Sequence, residues 1–186
     1  GISARALFSR QLKAHPVELN TEGRVRLLRA RHPLLVLSKE QVVANDILLD
    51  ESIHVLVISG PNTGGKTVTL KIVGLFALMV RAGLHLPCDA ESEMAIFPDV
   101  YADIGDAQDL SRDLSSFSAH MTQMIHLLSE SGAGPTPSAT FSARSLVLLD
   151  EPVTSTDPQE GAALAEALLC RLAELNMKVV ATTHYG

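Results

Sequence analysis

The stretch that governs the architecture of this chain runs from Ile53 to Thr67 and reads IHVLVISGPNTGGKT. Its first six residues form an apolar, β-branched run with the length of a buried strand. Gly60 ends that run, and the segment from Lys66 to about Arg81 is apolar on nearly all sides, as in a helix of the interior. A buried strand that leads through a glycine-rich turn into a buried helix predicts an α/β domain.

The glycine-rich turn fits the phosphate-loop pattern G-x-x-x-x-G-K-[ST] in full, between a predicted strand and a predicted helix. Small residues let the backbone curl so that successive N–H groups point at phosphate oxygens, and the helix start adds positive potential. Lys66 is predicted to contact the β- and γ-phosphates, and Thr67 to offer its hydroxyl to Mg²⁺. A turn without a ligand is the alternative, which the flanking elements disfavour. The loop consists of Gly60, Pro61, Asn62, Thr63, Gly64, Gly65, Lys66 and Thr67.

A second buried strand is predicted where the sequence reads LVLLDE, and it ends in the carboxylates of Asp150 and Glu151. Acids at the carboxyl end of a central parallel strand face the ligand crevice of an open α/β sheet. We expect Asp150 to hold Mg²⁺ and Glu151 to polarise or orient the attacking water. Two solvated acids that begin a loop are the alternative.

Four further polar residues are candidates for the same crevice. His184 follows a strand predicted over 178–182 and is a candidate to hydrogen-bond the γ-phosphate or the water. Gln108 follows a strand predicted from Val100 to Ile104 and is a candidate to reach Mg²⁺ or water. Ser115 lies at a predicted helix start, which attracts anions. Asp157 lies in a turn before a helix, where a helix N-cap is the alternative.

The other segments favour alternating strands and helices. We predict a helix over 1–15, short strands over Val25–Leu28 and Leu34–Leu37, a strand over 145–149, an uncharged loop over 131–143, and helices whose apolar faces include Phe117, Met121, Leu168 and Leu172. This alternation predicts a mostly parallel sheet flanked by helices on both faces.

Composition excludes several classes of protein. A length of 186 residues with 46% hydrophobic residues suits one folded α/β domain and argues against disorder. Two cysteines are too few for a secreted disulfide scaffold. No apolar run reaches 18 residues, so no membrane span is predicted. Because no Met or signal peptide begins the sequence, we expect an internal part of a longer cytoplasmic protein.

Charge is unevenly distributed along the chain. Residues 1–31 hold seven basic and two acidic side chains, whereas the remainder holds eight basic and nineteen acidic ones. The basic start is predicted to be a solvated linker, or else an arm that contacts nucleic acid or a partner. The acidic body argues against a main grip on DNA by this part of the protein.

Six motifs follow one another in the sequence: GPNTGGKT, DIGDAQ, LSSFSAHM, LVLLDE, TDPQEGAALA and ATTHY. In this combination the chain resembles the ATPase domain of bacterial MutS-family proteins, and within them the second-paralogue branch associated with suppression of recombination. RHPLL at 31–35 and AND at 44–46 are also similar to that branch. The resemblance covers residues 24–186, which makes residues 1–23 the end of a preceding helical lever or clamp region with its linker.

The resemblance implies the ABC-type ATPase architecture, in which two domains sandwich each ATP with its Mg²⁺. Ser115 would then contact the γ-phosphate of the partner's nucleotide, Asn62 would contact the γ-phosphate or water in its own site, and Asp157 would lie at the dimer interface. His184 would be the switch histidine, and Val42 would pack on adenine. The preference for ATP over other nucleotides rests on this resemblance.

The function expected from the residues and the resemblance together is Mg²⁺-dependent ATP binding and hydrolysis in a homodimer. In the longer protein this cycle would drive a clamp on branched or damaged DNA, held mainly by other domains. Three alternatives stay open: a transporter nucleotide-binding subunit, which the lack of an LSGGQ-type segment disfavours; a nucleotide-binding switch without hydrolysis; and a ribosome or other RNA assembly as the partner.

Overall fold

The computed structural model describes residues 1–38, 41–61, 65–104, 144–152 and 158–183. Within these ranges the helices are α1 (Ile2–Leu12), α2 (Pro33–Leu37), α3 (Lys66–Arg81) and α4 (Pro158–Glu174). The strands are β1 (Glu18–Asn20), β2 (Val25–Ala30), β3 (Asn45–Leu49), β4 (Val55–Ser59), β5 (Glu93–Ala95), β6 (Val100–Asp103), β7 (Leu146–Leu149) and β8 (Lys178–Thr183).

The described strands form two four-stranded sheets. The first, which we call the parallel sheet, has the order β4-β8-β7-β6 with all neighbours parallel. The second, the mixed sheet, has the order β1-β5-β2-β3, in which β2 runs antiparallel to β3 and β5 while β1 and β5 run parallel. The prediction of an α/β fold with a parallel sheet is confirmed, whereas the mixed sheet was not predicted.

Helices cover both faces of the parallel sheet. Leu146 and Leu148 of β7 belong to the apolar cluster of α3, whereas the alternate residues Val147 and Leu149 belong to the cluster of α4. Successive side chains of a strand point to opposite faces. A strand buried on both faces therefore reads as one continuous apolar run, which explains the sequence LVLL.

Helix α3 belongs to an apolar cluster that also contains residues of the mixed sheet, such as Leu27 and Met94. Gly74 permits a close approach between α3 and β7, because an added Cβ would lie 2.6 Å from Leu148 Cδ1. Gly83, with φ of 69°, follows the end of α3 as the sequence predicts. None of the helices within the described ranges combines the length and apolarity needed to cross a bilayer.

One predicted strand is wrong: Leu34–Leu37 lies in helix α2. Pro33 stands in the first turn of this helix, where its fixed φ favours the helix and its missing N–H costs nothing. The basic first 31 residues contribute α1, β1 and β2 to the fold, and Leu12 is fully buried. The division into two domains near residue 23 stays a prediction. The predicted helix after Ser115 and the predicted loop over 131–143 lie outside the described residues.

A buried lysine at the start of β8 fixes the turn between β3 and β4. Lys178 is 1% exposed, and its Nζ donates hydrogen bonds to the carbonyl oxygens of Asp50, Glu51 and Ile53 at 2.9, 2.7 and 2.7 Å. Burial lowers the pKa of this amine, although the two acidic neighbours act in the opposite direction. The turn that leads into the phosphate-loop strand is thus attached to the parallel sheet.

Candidate functional site

The carboxyl ends of three neighbouring strands meet at one edge of the parallel sheet. Strand β8 lies between β4, which leads into the glycine-rich loop, and β7, which leads into the two acids. Ser59 pairs with Thr183, and Leu149 pairs with Ala181. The loop and the acids are therefore separated by the width of a single strand.

Lys66 in the first turn of α3 is buried against this edge, with 5% of its side chain exposed. Its Nζ donates a hydrogen bond to the Thr183 carbonyl oxygen at 2.8 Å and lies 3.3 Å from Glu151 Oε1. A buried ammonium group needs a charge partner and hydrogen-bond acceptors, and both are supplied here. The lysine of the loop and an acid 85 residues later thus form one ion pair.

Thr182 holds the two acids together. Its side chain is 1% exposed, and its Oγ1 donates a hydrogen bond to Asp150 Oδ1 at 2.5 Å and accepts one from the Glu151 N–H at 2.9 Å. The Asp150 N–H donates to the Asp103 carbonyl oxygen of β6 at 2.9 Å. Asp150 is thereby fixed by both strands that flank β7.

Glu151 has a left-handed backbone conformation, with φ of 50°. Side chains other than glycine rarely adopt this conformation, which costs of the order of 1–3 kcal/mol and is often found at functional sites. The carboxylate, with 18% of its side chain exposed, contacts Lys66 from this position. Glu151 thus combines an unusual backbone conformation with the ion pair to Lys66.

The glycines at both ends of the described loop have positive φ, 137° at Gly60 and 77° at Gly65. An added Cβ at either position would meet no atom within 4 Å, so backbone conformation and not space requires glycine there. Gly65 is the N-cap of α3 and has no side chain to accept from the first-turn N–H groups. Those donors remain available to a ligand anion.

A cavity of about 430 Å³ lies beside the loop. This volume falls within the range of small-molecule sites, roughly 300–1,000 Å³. Its wall combines apolar side chains of β3 and β4 with polar ones, among which Lys66 is basic and Asp46 is acidic. The lining residues are Asn45, Asp46, Ile47, Leu48, Leu56, Ile58, Ser59, Gly60, Pro61, Lys66 and Thr69.

The oxygen donors near this edge suit Mg²⁺ better than a transition metal. Thr67 follows Lys66 in α3, and Asp150 directly follows β7, so one hydroxyl and one carboxylate lie on segments that meet at this edge. Magnesium is commonly held by one or two carboxylates together with phosphate oxygens and water. Across the described ranges, His, Cys, Asp and Glu side chains form no group of three or more that could hold a metal ion.

The structure brings some of the predicted site residues together and does not describe others. Lys66 and Glu151 are in contact, Asp150 is their neighbour, and Gly60, Pro61 and Lys66 line the cavity. Val42 is half-buried and does not belong to the cavity lining. Its role stays a prediction, as do the roles of the predicted residues that lie outside the described ranges. These are Asn62, Thr63, Gly64, Gln108, Ser115, Asp157 and His184.

Sequence reasoning missed two residues of this region. Thr182 lies in the ATTHY motif and Asp46 in the AND segment, but neither side chain was predicted to have a role at the site. A signal for Thr182 was present, because KVVATT places two hydroxyl side chains, Thr182 and Thr183, after three apolar residues of a strand. A buried hydroxyl almost always has a hydrogen-bond partner. A hydroxyl at the end of a buried strand therefore predicts a polar partner at the end of a neighbouring strand.

Comparison with known proteins gives consistent similarities. Residues 56–186 match MutS domain V. The chain is 48% identical over 184 residues to the endonuclease MutS2 of Bacillus velezensis, which covers 99% of the chain and 22% of that relative. It is 45% identical over 185 residues to the endonuclease MutS2 of Caldicellulosiruptor saccharolyticus, covering 100% of the chain and 22% of the relative. The putative endonuclease MutS2 of Bacillus subtilis is 48% identical over 184 residues, with coverages of 99% and 22%. The chain thus spans about a fifth of the length of these curated relatives.

Proposed function

The chain belongs to the MutS family and to its second-paralogue branch, and on that premise we propose that it is a Mg²⁺-dependent domain that binds and hydrolyses ATP. One observation carries the proposal. Lys66, Asp150 and Glu151 converge at the carboxyl ends of neighbouring parallel strands, beside a cavity of about 430 Å³. In open α/β sheets this edge is the usual place of a ligand.

In this proposal the loop binds the triphosphate through its backbone N–H groups and through Lys66. Bound Mg-ATP supplies the electrophilic γ-phosphorus and the charge neutralisation of its phosphate oxygens. Lys66 exchanges its contacts with Glu151 Oε1 and the Thr183 carbonyl, now 3.3 and 2.8 Å long, for phosphate oxygens. Asp150 and Thr67 provide the oxygen atoms that hold the metal ion.

The same exchange gives Glu151 its role. Once Lys66 turns toward phosphate, the Glu151 carboxylate no longer contacts the Lys66 ammonium group and orients toward the attacking water. A carboxylate there accepts a hydrogen bond from the water and orients it, or takes its proton. The Lys66–Glu151 contact is therefore the resting arrangement of two groups with separate tasks.

The remaining roles follow from the family and are proposed with it. The site is completed by a second copy of the chain, with Ser115 and Asp157 acting across the interface, His184 and Asn62 near the γ-phosphate and Val42 against adenine. Hydrolysis drives a DNA clamp in recombination suppression or repair, in the cytoplasm. The names of the relatives describe endonucleases, which are more than four times as long as this chain, and we assign no nuclease chemistry to it.

Steady-state ATP hydrolysis by the full-length protein tests the proposal, measured over a wide range of protein concentrations. We expect the specific rate to rise with concentration, because the site is completed by the second copy. Glu151→Gln should lower kcat about 100-fold or more and leave binding of a fluorescent ATP analogue intact. Lys66→Ala should weaken that binding about tenfold or more, because hydrogen bonds from a charged donor are lost.

Two matched substitutions serve as controls. Lys71→Ala removes an exposed lysine five residues along the same helix, and Glu91→Gln neutralises an exposed acid just before β5 of the mixed sheet. Both should leave binding and turnover unchanged. Turnover that survives in Glu151→Gln would remove the role assigned to that acid, and a wild-type protein that neither binds nor hydrolyses ATP would refute the proposed function.

A further inference from the structure

Thr182 occupies an unusual position at the candidate site. In β8 the preceding residues Val179, Val180 and Ala181 are apolar and at most 1% exposed, and Thr182 is buried to the same degree. Val180 belongs to the cluster on the α3 side, so residue 182, two places along the strand, points to the face that carries the phosphate loop. The chain thus places one hydroxyl group in the interior directly beneath the acids.

The Thr182 hydroxyl forms hydrogen bonds with both acidic residues. A threonine hydroxyl has one proton to donate and lone pairs to accept. The proton is directed to Asp150 Oδ1 at 2.5 Å, and a lone pair receives the Glu151 N–H at 2.9 Å. A hydroxyl-to-carboxylate bond of this length is of the strong, charge-assisted kind. One side chain therefore orients the carboxylate of Asp150 and the backbone of Glu151 at its left-handed turn.

We propose that Thr182 is a positioning residue for the reaction, which sets the Asp150 carboxylate toward the metal ion and the Glu151 side chain toward the attacking water. The inference rests on the proposed function. It adds a residue of β8 that acts through its hydrogen bonds to both acids. The neighbouring Thr183 carbonyl binds Lys66 at 2.8 Å, so the end of β8 supports all three charged groups of the site.

Removal of the hydroxyl is the direct test. Thr182→Val keeps the size and branching of the side chain but leaves Asp150 Oδ1 and the Glu151 N–H without this partner, whereas Thr182→Ser restores the hydroxyl. In the full-length protein, we expect Thr182→Val to lower kcat about tenfold or more, since small misplacements of catalytic groups have effects of that size or larger. The affinity for a fluorescent ATP analogue without Mg²⁺ should change less than about threefold, because the loop is intact.

A second readout does not depend on turnover. The Mg²⁺ concentration that half-saturates the Mg-dependent gain in affinity for the fluorescent nucleotide should rise several-fold in Thr182→Val and return close to the wild-type value in Thr182→Ser. Ser92→Ala is the matched control, because Ser92 is also 1% exposed and its Oγ accepts the Leu28 N–H at 3.0 Å in the mixed sheet. This substitution removes a hydroxyl that is as buried as that of Thr182 but belongs to the mixed sheet.

The outcomes separate the inference from the function on which it rests. Wild-type kcat and wild-type Mg²⁺ dependence in Thr182→Val would overturn the inference alone. Equal losses of activity in Thr182→Val and Ser92→Ala, in step with their melting temperatures, would reduce Thr182 to a structural role and overturn it too. If Thr182→Val does not fold by circular dichroism, Thr182→Cys takes its place, since a thiol is a poor hydrogen-bond donor. A wild-type protein without ATP binding or hydrolysis refutes the proposed function and this inference together.

Discussion

Gly74 determines how closely α3, which carries Lys66, approaches the strand that carries Asp150. A methyl group at residue 74 would lie 2.6 Å from Leu148 Cδ1, and Leu148 is 1% exposed, so its side chain would have to shift within the core. Overpacking a closed core costs about 1–3 kcal/mol. Alanine in place of glycine inside a helix gains about 0.8–1.0 kcal/mol. Gly74→Ala should therefore lower the free energy of unfolding by about 0–2 kcal/mol.

The two opposing contributions can be separated by also changing the strand residue. Leu148→Val removes the Cδ1 atom that the new methyl group would meet, at a cost of its own of about 1 kcal/mol. In that background only the helix preference remains, so Gly74→Ala should raise the free energy of unfolding by about 1 kcal/mol. The coupling energy between the two substitutions is then about 1–3 kcal/mol, a size found for residues in contact.

Urea unfolding of the four proteins of this cycle, followed by circular dichroism, measures the coupling. Equal slopes of free energy against urea are the condition for comparing them. If Gly74→Ala has the same effect in both backgrounds, Leu148 does not limit the approach of α3, and the packing argument for glycine at this position fails. A change of sign between the two backgrounds would support it directly.

Two further predictions concern buried groups that titrate. Lys178→Met should lower the free energy of unfolding by about 1–3 kcal/mol, because three carbonyl groups of the turn between β3 and β4 lose their charged donor, while Lys71→Met at the surface changes it by less than about 0.5 kcal/mol. A loss below about 1 kcal/mol in urea unfolding would contradict the role of Lys178. His32 is 7% exposed, and burial and then Lys71 lower its pKa from the usual 6.5. Below pH 6.5 His32 binds a proton in the unfolded chain but stays neutral in the folded chain. The free energy of unfolding therefore decreases as the pH is lowered from 6.5 to the lowered pKa of His32. His32→Gln should therefore lose less stability than wild type between pH 6.5 and 5.5, by up to about 1 kcal/mol, and parallel stability profiles of the two proteins would contradict this.

The sequence predicted those elements whose patterns are local. Strands β4 and β7 are continuous apolar runs and helix α3 is apolar on nearly all sides, each bounded by glycine or by acids, and the structure has them within two residues of the predicted limits. Strand β3 escaped prediction because its sequence, NDILL, has two polar residues followed by three apolar ones and shows neither an alternation nor an apolar run of strand length. Strands β1 and β5 have three residues each and exist through pairing with each other, which no local pattern reports. Helix α2 was mistaken for a strand because five residues are too few to show helical periodicity.

The same distinction holds for the candidate site: residues in local motifs were predicted, whereas contacts that depend on strand order were not. Lys66, Asp150 and Glu151 were identified because each lies in a motif with its own flanking strand or helix. The contact of Lys66 with the Thr183 carbonyl and the bonds of Thr182 to the acids depend on β8 lying between β4 and β7. Strand β8 comes last of the three in the sequence, and its own residues do not indicate which strands it pairs with. A strand inserted between the loop strand and the acidic strand necessarily presents its last residues to both. The polar groups at the end of β8, both side chain and backbone, therefore help to set the distance between Lys66 and the acids.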